Sequence, residues 1–446
     1  MTAAVIGGGI AGLMAAYELT KVGERPYLVD PGPLGGVIRS SLHNGYTLEL
    51  GPNVLVERPE IKALIAELGL QSSVVYPRVE NYGQYVWYDN KPTRAPRGLW
   101  ELFASPLMST ASKCALPFRL VLPGVLRAKS ADCSVENFFA PLVGMHAVHS
   151  LVDPVLKGIY GGDVERLSAR SLFPNLWRAA RQRKSVVGFM VSRQRKGKPP
   201  VFVLKGGLDS LTRELWSSIE PHVEHVRERV KRIFPLQDAR YSILLDSGRR
   251  LEVDGCVLAT GGKTLQGLVP ALSETLAERL EEMHFADLTV MHFAVPQDAN
   301  LIEDAFGVLF PGGQSHNLLG VMFNSMLFPH VAPKDKHVLT VVLGGAQANN
   351  EPSNEETLRQ EVPQLLERLL GIKGFEFLLY THWPHAIPQL ELGHYEVVAE
   401  MNRCEESHPG IVFAGVARGG IGVSDRIRVV HDAVNRFRRI RVETVV

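Results

Sequence analysis

An apolar strand, a glycine-rich turn and an apolar helix follow one another at the N-terminus, and this succession restricts the chain to a fold built on a parallel, helix-covered sheet. The strand is read over Ala3–Ile6, the helix over residues 11–22 and a second strand over residues 26–29. Between the first two, Gly7, Gly8, Gly9, Ile10, Ala11 and Gly12 form GxGxxG. Gly7 allows a tight turn, Gly9 lets the backbone approach a pyrophosphate, and Gly12 lets the helix pack closely on the strand. The first helical amides, those of Ile10 and Ala11 among them, have no intrahelical acceptor and present a partial positive charge to phosphates. Asp30 ends the second strand, where a carboxylate accepts hydrogen bonds from ribose hydroxyls and repels a 2′-phosphate, which disfavours NADP. The glycines alone would mark only a turn. The strand before them, the helix after them and the acid beyond make a dinucleotide site.

The same N-terminus is apolar enough to be weighed as an export or spanning segment. It lacks a basic leader, and glycines interrupt it where such a segment needs leucines. No apolar run elsewhere reaches spanning length, so membrane contact is expected from one side only. With 446 residues, 45% of them hydrophobic and 21% charged, the chain should form two or three domains with sizeable cores. A net charge of +1 supplies no field for nucleic acid, which is not expected as a partner. Cys114, Cys133, Cys256 and Cys404 are far apart and show no CxxC or Cys/His metal spacing, which points to a reduced, cytoplasmic compartment and to no metal site.

Two further segments turn the dinucleotide into FAD. Leu34-Gly35-Gly36-Val37-Ile38-Arg39-Ser40 places a glycine pair and a basic residue where flavin oxidases run under their cofactor. Near the C-terminus a strand at 411–415 runs into GVARGGIGVSDRI, in which Gly415, Gly422, Val423 and Ser424 make a second glycine turn and helix start suited to the pyrophosphate and the flavin ring. An NAD site needs neither. The first and last strands are therefore expected in one sheet. Between them, residues 59–68 read as a helix and 85–96 as a hairpin with Asp89 and Asn90 at its tip. Residues 99–192 read as helices cut short by Pro106, Pro117 and Pro123, carrying Lys113, Arg119, Arg127 and Lys129, with a basic run at 178–198. A strand-to-helix unit with a glycine pair at 205–215, a β-meander ending in a buried strand at 255–259, several strands at 289–345 and a helix at 355–370 complete the chain.

DPVLKGIYGGDVERLSARSLFP at 153–174 is the most distinctive stretch. Together with GYTLELGPNVL at 45–55, HWPHAIPQLELGH at 382–394 and FAGVARGGIGVSDRI at 413–427, it resembles the protoporphyrinogen oxidases of the amine oxidase/phytoene desaturase superfamily nearly end to end. The resemblance implies an α/β fold: a Rossmann-type FAD-binding domain (1–85, 195–265 and 395–446), interleaved with a mixed-sheet substrate domain (86–98 and 266–394) and a helical membrane-associated domain (99–194). It implies FAD-dependent oxidation of a porphyrinogen to the porphyrin in haem biosynthesis, with O2 as acceptor and hydrogen peroxide as product. Protoporphyrinogen IX is the first expected substrate and coproporphyrinogen III the alternative. Peripheral attachment at the inner face of the cell membrane, contact with a ferrochelatase and a homodimer are implied in the same way. Gly51, Pro52, Asn53, Val230 and Trp383 carry over as cofactor contacts. Gly158 carries over as the glycine facing a pyrrole, and Leu309, Met322 and Val342 as apolar side chains around the rings.

One position departs from the family pattern. Gln84 stands where an arginine usually pairs with a substrate propionate, and Arg78, Arg94 and Arg97 are the cations near it in sequence. The choice between the two porphyrinogens stays open on this residue. A flavin amine oxidase or carotenoid desaturase, and a flavin-binding scaffold without activity, remain alternatives; Gln84 and the unusual Arg418 and Arg426 would suit the last. No Ser/His/Asp or paired-carboxylate arrangement is present, no general base is assigned, and His382, His385 and His394 read as structural. Phe103, Leu107 and Phe118 are expected to face lipid beside the basic run.

Overall fold

The computed structural model describes residues 2–126, 128, 130–192, 199–312, 317–348 and 354–443; Arg127, Lys129 and the part of the basic run at 193–198 lie outside them. The Ala3–Ile6 strand is buried along its whole length, as a strand covered on both faces must be. It takes the middle of a five-stranded, all-parallel sheet ordered Glu224–Val226, Tyr27–Val29, Ala3–Ile6, Gly255–Leu258, Ile411–Phe413. The first and last strands thus share one sheet. Alternation divides the side chains. Val5, Val257 and Val412 face the helices Ile10–Thr20, Asp209–Ile219 and Val423–Glu443, while Ala4, Ile6, Cys256 and Leu258 face the three-stranded meander and the helix His394–Ser407. The buried thiols of Cys256 and Cys404 are both pushed up by desolvation.

A mixed seven-stranded sheet stands beside this layer, ordered Glu376–Pro388, Phe285–Pro296, Lys336–Gly344, Leu318–Met322, Ala305–Leu309, Gly83–Tyr88, Lys91–Arg94. The last two strands form the expected hairpin, with Asp89 and Asn90 at φ 50° and 57° in its tip. Gly83–Tyr88 lies wholly in this sheet, so a domain boundary at 85 falls inside a strand. One face carries Met291, Phe293, Val308, Val321 and Val341 and packs against the helix Glu355–Leu370. Period-two alternation and the strand register put Leu309, Gly320, Met322, Val342 and Gln84 on the opposite face.

Residues 99–192 form the helical unit around Leu116, Phe138, Leu142 and Trp177. Pro106 and Pro123 lie outside helices, as expected, but Pro117 sits inside the helix Thr110–Val121. Proline removes one backbone donor there, and burial of Leu116 and Leu120 on either side keeps the helix running past it. Leu107 is fully buried rather than lipid-facing, and Phe103 is half-buried against the same core. Among the described residues, no helix is long and apolar enough to cross a membrane.

Candidate functional site

The glycine turn joins strand and helix with little room to spare. A Cβ on Gly12 would fall 1.6 Å from the Gly7 carbonyl oxygen, so only glycine lets the helix start here. A Cβ on Gly9 would meet nothing nearer than the Gly36 Cα at 3.9 Å. The helix beginning at Ile10 has no side-chain cap and no acid in its first turn. Open space beside uncapped amides is what a pyrophosphate requires, and the residues present fit an FAD here. Gly35 joins the turn through its amide, which donates to the Gly8 carbonyl at 2.8 Å, and Arg39 Nε donates to the Gly36 carbonyl at 3.0 Å.

Asp30 sits at the carboxyl end of its strand as expected, and its two oxygens accept from the Gly8 amide at 2.6 Å and the Gly32 amide at 2.8 Å. Each oxygen keeps a further lone pair for a ribose hydroxyl. A cleft of about 490 Å³ lined by Pro31, Leu34, Trp216, His225 and Arg227 opens beside it. Val230, expected as a cofactor contact, opens the next strand opposite Leu245 and shares a buried cluster with Val29 and Val226. The Val226 carbonyl accepts the Asp30 amide at 3.1 Å.

The Glu49–Asn53 segment runs between the two sheets and is held by side chains far away in sequence. Trp383 Nε1 donates to the Leu50 carbonyl at 2.6 Å, and the His292 Nε2–H donates to the Glu49 carbonyl at 3.1 Å. Asn324 Nδ2 donates to Asn53 Oδ1 at 2.9 Å and to Thr340 Oγ1 at 3.0 Å. Gly51 is tight, a Cβ there falling 2.0 Å from the Val37 carbonyl oxygen, which fixes the Pro52 turn beneath the Gly35–Arg39 segment. The Arg39 guanidinium lies 5.4 Å from the Trp383 ring centroid. His292 is fully buried; desolvation lowers its pKa to about 4 and keeps it neutral, and its Nδ1 has no partner among the described residues. Trp383 and Asn53, expected as cofactor contacts, lie on this segment, and His292, Asn324 and Thr340, which no motif singled out, hold it.

The Glu49 carboxyl is buried, and burial raises its pKa from 4.5 to about 7 against the opposing bonds from Ser40 and the Leu208 amide. A carboxyl whose folded pKa lies above its unfolded value costs nothing below pH 4.5 and costs most above pH 7, by about 3 kcal/mol. Glu49→Gln should therefore match the wild type in urea midpoint near pH 4.5 and exceed it at pH 8, the gap opening between the two. A pH-independent gap would contradict this assignment.

The C-terminal loop closes the dinucleotide side. A Cβ on Gly415 would lie 2.2 Å from the Thr260 carbonyl oxygen, and Ser424 Oγ donates to the Val56 carbonyl at 2.6 Å, with Gly422 and Val423 beside it at the helix start. Arg426 is buried beneath the loop and donates to the carbonyls of Ala414, Gly415, Gly419 and Gly420. Arg418 pairs with Glu405 at 2.8 Å. Both arginines thus hold the loop's shape. His394 bonds the Ala417 carbonyl at 2.8 Å, and His382 bonds Thr289 Oγ1 at 3.2 Å. The His385 amide donates to Asp287 at 2.6 Å.

On the free face of the seven-stranded sheet, Leu309, Met322 and Val342 come together as apolar neighbours, and the helix Asp153–Tyr160 crosses over them. A Cβ on Gly158 would meet Leu309 Cδ2 at 2.5 Å. Lys157, nearly fully buried, ties this helix down through Asp153 at 3.6 Å and Gln347 at 2.7 Å, a tether that no motif announces. Gln84 is exposed at the same face's edge and lines a cleft of about 710 Å³. Arg97 in that cleft donates to the Asn81 and Tyr82 carbonyls, and Arg94 reaches the Asn81 carbonyl at 3.4 Å.

A model of the family described as flavin containing amine oxidoreductase matches residues 10–423. Protoporphyrinogen oxidase 2, chloroplastic/mitochondrial, of Arabidopsis thaliana is 27% identical over 95% of this chain and 91% of its own. Protoporphyrinogen oxidase of Homo sapiens is 28% identical over 96% of each chain. Coproporphyrinogen III oxidase of Bacillus subtilis is 25% identical over 95% of each. A crystal structure from Exiguobacterium sp. 255-15 superimposes with a TM-score of 0.80 at 22% identity, covering 100% of this chain and 98% of that one. Reduced UDP-galactopyranose mutase does so with a TM-score of 0.74 at 14% identity, covering 99% and 95%. These two likenesses carry the fold; the family match carries the flavin. The chain is an FAD oxidoreductase and belongs to the flavin containing amine oxidoreductase family.

Proposed function

We propose that this protein oxidises a porphyrinogen to the porphyrin, with protoporphyrinogen IX as first substrate, coproporphyrinogen III as the alternative and O2 as the terminal acceptor. Relatives named for both reactions align along nearly the whole chain, which supports the reaction class. The observation in the molecule that carries the reading is the apolar sheet face of Leu309, Met322 and Val342 under Gly158, beside the Glu49–Asn53 segment. FAD, when bound, supplies the hydride acceptor. The chain's own part is to orient and to exclude water. The apolar face takes one side of a flat macrocycle by contact, and Gly158, packed directly on Leu309, leaves that side chain in place where a larger residue would push it away. Gln84 offers a neutral amide, not a charge, to a peripheral carboxylate.

The test offers each porphyrinogen anaerobically to the yellow holoprotein, admits oxygen, and follows porphyrin fluorescence and peroxide. A rise well above the non-enzymatic rate with one or both is expected. No rise with either overturns the reading.

Peripheral membrane attachment is part of the proposal. Trp100 and Phe118 are 89% and 70% exposed on the helical unit, with Val121 and Leu122 also exposed. Large apolar side chains on one unit favour contact with a single leaflet. Wild-type protein should float with anionic vesicles, and the double substitution Trp100→Ser, Phe118→Ser should stay in the soluble fraction. A soluble wild type, or a floating double variant, contradicts the attachment.

A further inference from the structure

A groove of about 730 Å³ lies away from the apolar sheet face, between the helix Pro174–Arg181 of the helical unit and the helix His394–Ser407 of the dinucleotide layer. Its lining includes four arginines, Arg170, Arg178, Arg181 and Arg418, and no carboxylate. Arg418 is neutralised by Glu405. Among the described residues none of the other three has an ion-pair partner. Arg181 donates to the Ala128 and Ser130 carbonyls at 3.3 and 3.4 Å, and Arg170 donates to the Ala131 carbonyl at 2.8 Å while stacking 3.7 Å over the Tyr395 ring. Asp132, next in the chain, turns its oxygens to the Cys133 amide, Ser168 and the Gly393 amide. Arg178 is exposed in the groove with no protein partner among the described residues.

Like charges gathered in one groove without counter-charge raise the free energy of the empty site, and a bound anion relieves it. Guanidinium forks select carboxylate or phosphate. The walls narrow the choice further. Val398, Ala399 and the stacked Arg170–Tyr395 pair present planar and apolar surface, over a floor of buried Trp177 and Leu390, which a bare inorganic anion would leave uncovered. The fitting ligand is a flat apolar body with several carboxylates on its edge. We infer that this groove binds a carboxylated tetrapyrrole, the porphyrin released by the proposed reaction, at a second site apart from the reaction face. The inference rests on the function proposed above. An occupant of the groove touches Gly419 in the C-terminal loop and lies against His394, which joins Ser171 of the helical unit to the Ala417 carbonyl. Product would thus be sensed next to the cofactor loop.

Holoprotein titrated with coproporphyrin III and with protoporphyrin IX, followed by equilibrium dialysis, should bind two porphyrins per chain. The second should be weakened by added salt, and the four-carboxylate porphyrin should bind there more tightly. Arg178→Glu should weaken that second site about tenfold and leave turnover at saturating porphyrinogen unchanged. Arg170→Gln, read the same way, guards against a local effect of one reversed charge. One porphyrin per chain, or a second porphyrin indifferent to both substitutions, overturns the inference. Phosphatidylglycerol vesicles form the competing arm: vesicle binding that falls with Arg178→Glu while porphyrin binding does not would make the groove a headgroup site and also overturn it. Turnover of the same preparations separates the two claims, since loss of turnover with both porphyrinogens strikes the proposed function, while turnover with a single porphyrin site strikes this inference alone.

Discussion

Gly9→Val is expected to give a folded protein that purifies without flavin. Gly9 has φ −73° and ψ −177°, an extended conformation open to any residue, and a Cβ there meets only the Gly36 Cα at 3.9 Å. The apoprotein should therefore keep its circular dichroism and melting temperature. The added branches fill the space beside the helix amides, so FAD affinity should fall at least about 100-fold, or about 2.7 kcal/mol. Gly12→Ala makes the contrast. Its Cβ falls 1.6 Å from a backbone oxygen, so the helix must move and both melting temperature and flavin should be lost together. A Gly9→Val protein with full flavin content would show that the phosphates lie elsewhere.

Arg426→Met should cost both stability and flavin at the other end of the chain. The guanidinium reaches the Ala414 carbonyl at 3.2 Å, Gly415 at 2.7 Å, Gly419 at 2.6 Å and Gly420 at 2.5 Å. Burial lowers its pKa to about 10, which leaves it charged at neutral pH. Removing the forks strands four carbonyls in a buried loop, a loss of about 4 kcal/mol. Thermal melting should drop and FAD should bind weakly. Arg426→Lys should not rescue either, because a single ammonium cannot span two pairs of carbonyls. A stable, flavin-loaded Arg426→Met would contradict this assignment.

What could be read in advance was local. The turn at Gly7–Gly12, the acid at Asp30 and the glycine pair at Gly35 and Gly36 announce themselves because each glycine answers a neighbour only a few residues away, and the structure brings Gly9, Gly35 and Gly36 together. What escaped was held across long separations. His292 meets the Glu49 carbonyl and Asn324 meets Asn53 only after the two sheets pack, and no spacing in the chain encodes that. The short strand Glu224–Val226 beside Tyr27–Val29 was not legible either, because it and the strand opened by Val230 look alike in pattern and only the pairing separates them. Leu107 and Pro117 were misplaced for a related reason. Helical burial in the unit at 99–192 is set by neighbours such as Ser150, which donates to the Leu107 carbonyl at 2.7 Å, rather than by local composition. Arg418 and Arg426 looked anomalous in a cofactor segment until their carboxylate and carbonyl partners explained them.

The claim at the centre of this account is that the apolar face under Gly158 holds a porphyrinogen against the flavin. Anaerobic mixing of porphyrinogen with holoprotein, followed by loss of the yellow flavin absorbance, reads that contact without involving oxygen. Wild-type protein should bleach rapidly with protoporphyrinogen IX or coproporphyrinogen III. Leu309→Glu, which puts a charge on the face while leaving the flavin site intact, should bleach about 100-fold more slowly at equal flavin content. Bleaching of Leu309→Glu at the wild-type rate, or no bleaching of the wild type by either porphyrinogen, would contradict it.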